Sequence, residues 1–154
     1  MQLHDFLDFE SIRVGLSGGN KRKLLQLLGQ MAGARLGFDP TAIVDTVAER
    51  ERLGSTGFGN GVAIPHGKLP KLERLFGMFA RLEKPVDFES MDGQPVDLIF
   101  LLLAPENAGA DHLKALAKVA RLLRDPDVAR KLRDSRDADA IYNVLMITPT
   151  SSAA

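Results

Sequence analysis

The sequence has no cysteine, no tryptophan, a single tyrosine and three histidines among its 154 residues, and its 20 basic and 20 acidic side chains cancel to zero net charge. Each shortage excludes something. Without cysteine there is no disulfide framework, no thiolate zinc site and no cysteine nucleophile, and a reducing compartment suits the chain. Without net charge there is no molecule-wide field to gather nucleic acid or an anionic membrane, so no nucleic-acid partner is expected and any electrostatic function must be local. The longest unbroken apolar run, Leu98 to Ala104, is far shorter than the ~20 residues a spanning helix needs. The opening "MQLHDFLDFE" carries acids where a secretion signal has a basic end and an apolar stretch. A soluble, cytoplasmic protein with no membrane insertion is expected.

What is present is enough apolar material, 45% of residues, for one ordinary core. Residues 11 to 16 read as a short strand. Asn20 then caps a helix carrying Leu24, Leu25, Leu28, Met31 and Leu36, which Gly37 stops. Asp39 and Pro40 supply a cap and a first-turn proline for a second helix ending near Leu53. An extended piece at 62 to 64 and strands at roughly 75 to 82 and 96 to 103 follow. The period becomes helical again from Asp111 through Leu116, Val119 and Leu123. Asp125 and Pro126 restart a helix toward Leu132, and a last helix covers about 137 to 146. The stretch "LIFLLLA" has no alternation, so both of its faces must be covered. The expected fold is α/β, a three-layer α/β/α sandwich with a mixed central sheet. One domain over 1–147 is expected, followed by a small, polar tail at 148–154 with nothing to bury, expected to be disordered.

The densest signal is "GSTGFGNGVAIPHGK" at 54 to 68, with five glycines and a histidine. It is not a P-loop, because five residues rather than four separate Gly61 from Gly67 and Leu69 follows Lys68 where Ser or Thr is needed. Gly57, Gly59 and Gly61 lack the flanking strand and helix of a dinucleotide fingerprint. Ser55 is not in a nucleophile-elbow frame. His4, His66 and His112 lack the spacing of metal ligands on one element, so no metal is expected. No other cofactor is expected either.

What remains is His66, between Pro65, which fixes its own φ, and Gly67, which places no Cβ beside the imidazole. Nearby backbone N–H groups with the hydroxyls of Ser55 and Thr56 suit a phosphoryl group held on that ring. A neutral imidazole is required for attack, and the ordinary histidine pKa of about 6.5 provides one. Arg50, sixteen residues upstream, offers the cation for the dianionic product, with Arg52 and Lys68 as competitors. His112 opens a helix, where unpaired N–H groups favour an anion. Read alone, His112 shares a face with Leu116, Val119 and Leu123 and is a buried, hydrogen-bonded histidine, and Arg50 in "ERER" is a solvated helix end. His4 is a surface residue. Phe58 either packs down over the glycine loop or faces a partner, with Ile64 as a second docking candidate. The basic stripe from Lys114 through Arg124, continued by Arg130 to Arg136, is a solvated face rather than a DNA site.

The stretches "RERLGSTGFGNGVAIPHGK", "PVDLIFLLLAP" and "HLKALAKVARLL" resemble the type 2 enzyme IIA domains of the bacterial phosphotransferase system, nearly end to end, and most of all their nitrogen-related branch. The resemblance implies a mixed sheet with helices on both faces. It implies that His66 is phosphorylated on Nε2, with His112 as second active-site histidine, Arg50 contacting the phosphate, and Ser55, Thr56, Gly67 and Lys68 around it. It also implies a histidine-containing phosphocarrier as donor, itself charged by enzyme I from phosphoenolpyruvate, and regulatory proteins of nitrogen control or potassium transport as targets. Two other readings stay open: a sugar-specific enzyme IIA passing phosphate to an enzyme IIB, and a binding module whose histidine is never modified.

Overall fold

A computed structural model describes residues 1–147; the tail expected at 148–154 lies outside the described residues. After a short 3-10 turn at Leu3–Asp5, the chain forms β1 (Leu7–Leu16), α1 (Lys21–Leu36), α2 (Pro40–Arg52), β2 (Gly57–Gly59), β3 (Val62–Ala63), β4 (His66–Leu69), β5 (Phe76–Val86), β6 (Val96–Pro105), α3 (Ala110–Arg124), α4 (Pro126–Asp134) and α5 (Ala138–Ile147).

The helix boundaries follow local chemistry. The Asn20 side chain accepts from the Lys23 N–H, Gly37 closes α1 in the left-handed region, and Asp39 and Asp125 cap helices that begin with Pro40 and Pro126.

The sheet runs β1-β5-β6-β3-β2, with β4 also on β6. β5 and β6 are antiparallel, whereas β1 on β5 and β3 and β4 on β6 are parallel, so the sheet is mixed. Along β6, successive side chains go to opposite layers. Leu98, Phe100 and Leu102 join Val119, Leu122, Leu132 and Ile141 from α3, α4 and α5. Ile99, Leu101 and Leu103 join Leu24, Leu28, Ile43 and Val47 from α1 and α2. The missing alternation of "LIFLLLA" is thus the mark of a strand buried on both faces, and the three-layer expectation holds.

Three expectations need correction. β1 begins at Leu7 rather than 11, because its register shifts between Leu7 and Ile12 and the irregularity breaks the alternation a reader would follow. The glycine segment is not an open loop. β2 and β3 form a hairpin turning at Asn60 and Gly61, both at positive φ (57° and 78°), the pair a tight I′-type turn demands. The third concerns residues 66–69, which form a strand. β3 and β4 are two pieces of one path along β6, Val62 opposite Leu98 and His66 opposite Leu102, separated by Ile64 and Pro65, whose ring nitrogen has no hydrogen to donate.

Candidate phosphoryl-transfer site

β4 sets the site by its two-residue period. Gly67 and Leu69 face the α1/α2 layer: Leu69 is in that core, and a Cβ on Gly67 would stand 2.7 Å from Cγ2 of Thr46 on α2. His66 and Lys68 therefore face the α3 side. The missing Cβ of Gly67, a residue expected near the phosphate, lets the strand that carries the histidine lie against α2. Gly67→Ala forces that contact apart, and a destabilisation of about 1–3 kcal/mol is expected in urea unfolding.

His66 is 9% exposed, and its Nδ1 lies 2.9 Å from the carbonyl oxygen of Ile64. A carbonyl only accepts, so Nδ1 carries the proton and Nε2 keeps its lone pair. The pKa of His66 is lowered from its ordinary value by burial and by the Arg50 guanidinium, against the opposing pull of the Ile64 hydrogen bond and the Glu51 carboxylate. The ring is held neutral with Nε2 free, as a nucleophile must be.

His112, in the first turn of α3, stands beside it with ring centroids 5.5 Å apart and planes inclined at 53°. It is also buried, and its Nε2 has no hydrogen-bond partner among the described residues. Burial, then the neighbouring His66 and Lys68, lower its pKa. The N-cap of α3, Gly109, offers no side chain to the first amides, which leaves that helix end attractive to an anion.

Both lowered values carry a sign for stability. As pH falls through about 6.5, the histidines of the unfolded chain take up protons before those of the folded one, so the native state loses stability from that point down through the folded-state pKa values. Urea unfolding at several pH values between about 7.5 and 5 should show this loss, reduced in the His66→Gln/His112→Gln double variant.

Arg50 lies at the end of α2, half-buried, and donates to the Gly54 carbonyl at 2.8 Å with one Nη, while its charge reaches His66. Of its competitors, Lys68 is exposed on β4 and acts on His112, and Arg52 lines a separate cleft between α1 and α2. The hydroxyls of Ser55 and Thr56, expected to face the phosphoryl group, donate elsewhere. Ser55 Oγ donates to the Phe88 carbonyl at 2.7 Å and accepts from the Gly57 N–H at 3.0 Å, and Thr56 Oγ1 donates to Glu51. Phe58 packs down against the core with the Arg124 guanidinium 5.1 Å over its ring, and Ile64, at 3% exposure, is unavailable to any partner. His4 is on the surface beside Asp5.

Glu51 is the residue that sequence reading missed. Inside "ERER" it looks like a solvated helix end, yet it is 7% exposed and accepts from the Thr56 N–H at 3.1 Å and from Lys21 at 3.0 Å. Only its spacing from Ile43 and Val47, eight and four residues back on the buried face of α2, hints at this.

The sequence and its fold are matched in known proteins. The sequence profile of the family described as "Phosphoenolpyruvate-dependent sugar phosphotransferase system, EIIA 2" matches residues 5–146. A "Nitrogen regulatory protein" of Bradyrhizobium diazoefficiens is 58% identical over 153 residues, covering 99% of this chain and 100% of that protein. One of the same name in Escherichia coli strain K12 is 37% identical over 149 residues, covering 96% and 91%. The crystal structure of nitrogen regulatory protein IIA-Ntr from Neisseria meningitidis superposes with a TM-score of 0.87 at 34% identity, covering 92% of this chain and 97% of that one. With the sheet, the flanking helices and nearly the whole length shared, the chain belongs to the EIIA 2 family of phosphotransferase-system components, alongside its nitrogen regulatory members.

Proposed function

We propose that the protein is a phosphohistidine carrier and regulator: it accepts a phosphoryl group on Nε2 of His66 from a histidine-containing phosphocarrier and signals by its phosphorylation state to regulatory proteins of nitrogen control or potassium transport. The observation that carries this reading is the 2.9 Å contact between Nδ1 of His66 and the Ile64 carbonyl, which dedicates one ring nitrogen to the scaffold and leaves the other to react.

In the transfer, the lone pair of Nε2 forms the new P–N bond as the donor's P–N bond breaks and its electron pair returns to the donor imidazole. The ring gains positive charge, which the Ile64 carbonyl stabilises through Nδ1–H. Rate comes from alignment and charge stabilisation rather than proton abstraction. Arg50 keeps further N–H donors beyond the one on Gly54. His112 brings an unpartnered Nε2 that, protonated, donates to a phosphoryl oxygen. Ser55 and Thr56 hold the segment in shape. The reverse reaction uses the same contacts, so the carrier releases its phosphate through the same arrangement that takes it up.

The test is reconstitution with phosphoenolpyruvate, enzyme I and phosphocarrier from the same organism. Phosphate that is acid-labile, alkali-stable and located on His66 is the expected product. An unlabelled chain would identify a binding module instead, and onward transfer to an added enzyme IIB would identify a sugar-specific component.

A further inference from the structure

We infer that the pair of half-buried Lys21 and buried Glu51 is a positioning device for the phosphoryl acceptor, acting on the His66 ring through the backbone of Thr56 and Ile64. The inference rests on the reading of His66 as acceptor.

The contacts form an unbroken series. Lys21 Nζ lies 3.0 Å from Glu51 Oε1, with their side chains 17% and 4% exposed. Lys21 is itself fixed by Glu89 at 3.2 Å and by the Phe88 ring, 4.6 Å from its nitrogen. Both carboxylate oxygens of Glu51 receive donors from Thr56, the N–H at 3.1 Å on Oε1 and the hydroxyl on Oε2. The Thr56 carbonyl accepts from the Ile64 N–H at 3.2 Å, and the Ile64 carbonyl accepts from Nδ1 of His66 at 2.9 Å. The element between Glu51 and Ile64 is a short hairpin rich in glycine, with little stiffness of its own. Pairing of β3 and β4 with β6 holds the residues on either side of Ile64 to the sheet, and the bidentate grip on Thr56 adds the tie between Ile64 and α2. A buried carboxylate stripped of its cation would be costly, which explains why Lys21 reaches it from the start of α1.

A plain packing role for Glu51 predicts only a stability change. A positioning role predicts a change in the tautomer of His66. In Glu51→Gln the amide retains one acceptor oxygen but cannot serve both Thr56 donors and Lys21, so the grip loosens. The groups acting electrostatically on His66 are Arg50 and Glu51, and those acting on His112 are His66 and Lys68; only Glu51 is altered.

The experiment is nitrogen NMR of the histidines in the full, unmodified chain, paired with phosphoacceptor kinetics. In the parent protein His66 is expected as the single Nδ1–H tautomer. Glu51→Gln should produce a mixture of tautomers and lower kcat by roughly 10²-fold, with KM for the phosphocarrier within about twofold. Lys21→Arg, which keeps the cation, should show neither defect. If Glu51→Gln does not fold, Thr56→Val, which removes only the hydroxyl grip, is read in its place and should show the same tautomer mixture. A folded Glu51→Gln or Thr56→Val with an unaltered His66 tautomer overturns the inference, as does a loss confined to KM. The spectra need no phosphate donor, so a parent chain that takes up no phosphate defeats the acceptor reading separately.

Discussion

If His66 is the acceptor proposed above, glutamine at position 66 is expected to leave a folded protein that accepts no phosphate. The side chain of glutamine fills much of the same space, and the backbone pairing of β4 with β6 does not depend on the imidazole, so β4 is expected to keep its place. What is lost is the lone pair at Nε2, and nothing adjacent replaces it. His112 is the only other imidazole in the site, and its ring is set in the first turn of α3 rather than on β4. Incorporation should fall by about 10⁴-fold or more, the scale of removing a nucleophile. The contrast that identifies the roles is His112→Gln, which removes a charge-stabilising donor and should reduce the rate by a smaller ~10²–10³-fold. Equal losses in the two variants would contradict this division of labour. Rapid-quench phosphorylation with a limiting charged phosphocarrier distinguishes them, and circular dichroism checks the fold.

The second large effect is structural. Phe100 stands in the middle of β6, 1% exposed, its ring edge-on to Phe6 with centroids 6.2 Å apart. Its position opposite Phe79 across the β5–β6 ladder puts it at the centre of the sheet. The ring also lies over Gly77, where a Cβ would meet it at 2.8 Å, so it fills the space the glycine leaves. Phe100→Ala removes this filling and leaves a cavity, with an expected destabilisation of about 3–5 kcal/mol. Against the roughly 5–15 kcal/mol by which domains are stable, that is a large share, and a fall in Tm on the order of 10 °C is expected by calorimetry. Because β6 is the strand on which β4 is registered, phosphoacceptor activity should decline with temperature in parallel with unfolding.

The helices are legible in the sequence because their ends are decided by adjacent residues: Asn20, Asp39 and Asp125 as caps, Pro40 and Pro126 in first turns, Gly37 as a stop. The doubly buried strand is legible because the run Leu98 to Ala104 lacks alternation and is too short for a spanning helix. β1 reads four residues short because a register shift hides the period. The hairpin at Asn60 and Gly61 is signalled by the Asn-Gly pair itself, but five glycines around it obscure the strands on either side.

In the site, residue types and spacing draw attention to His66, a histidine between proline and glycine, whereas Arg50 and His112 read alone as a solvated helix end and a core histidine and become candidates through the family resemblance. Local order cannot determine which hydroxyls are free. Ser55 and Thr56 offer hydroxyls in the sequence, and only the fold brings the Phe88 carbonyl and the Glu51 carboxylate to accept from them. Nor can it separate Glu51 from Glu49 in "ERER", because which acid is buried depends on the rotation of α2 against the sheet and on a lysine thirty residues upstream.

By itself, then, the sequence determined the layers, the helix ends and which imidazole stands out, all properties that residues impose on their immediate neighbours. Only the tertiary structure decided which ring nitrogen is left free, which carboxylate is drawn inside and which hydroxyls are engaged. Those outcomes depend on hydrogen-bond partners that packing brings together from separate parts of the chain, and no local rule encodes them.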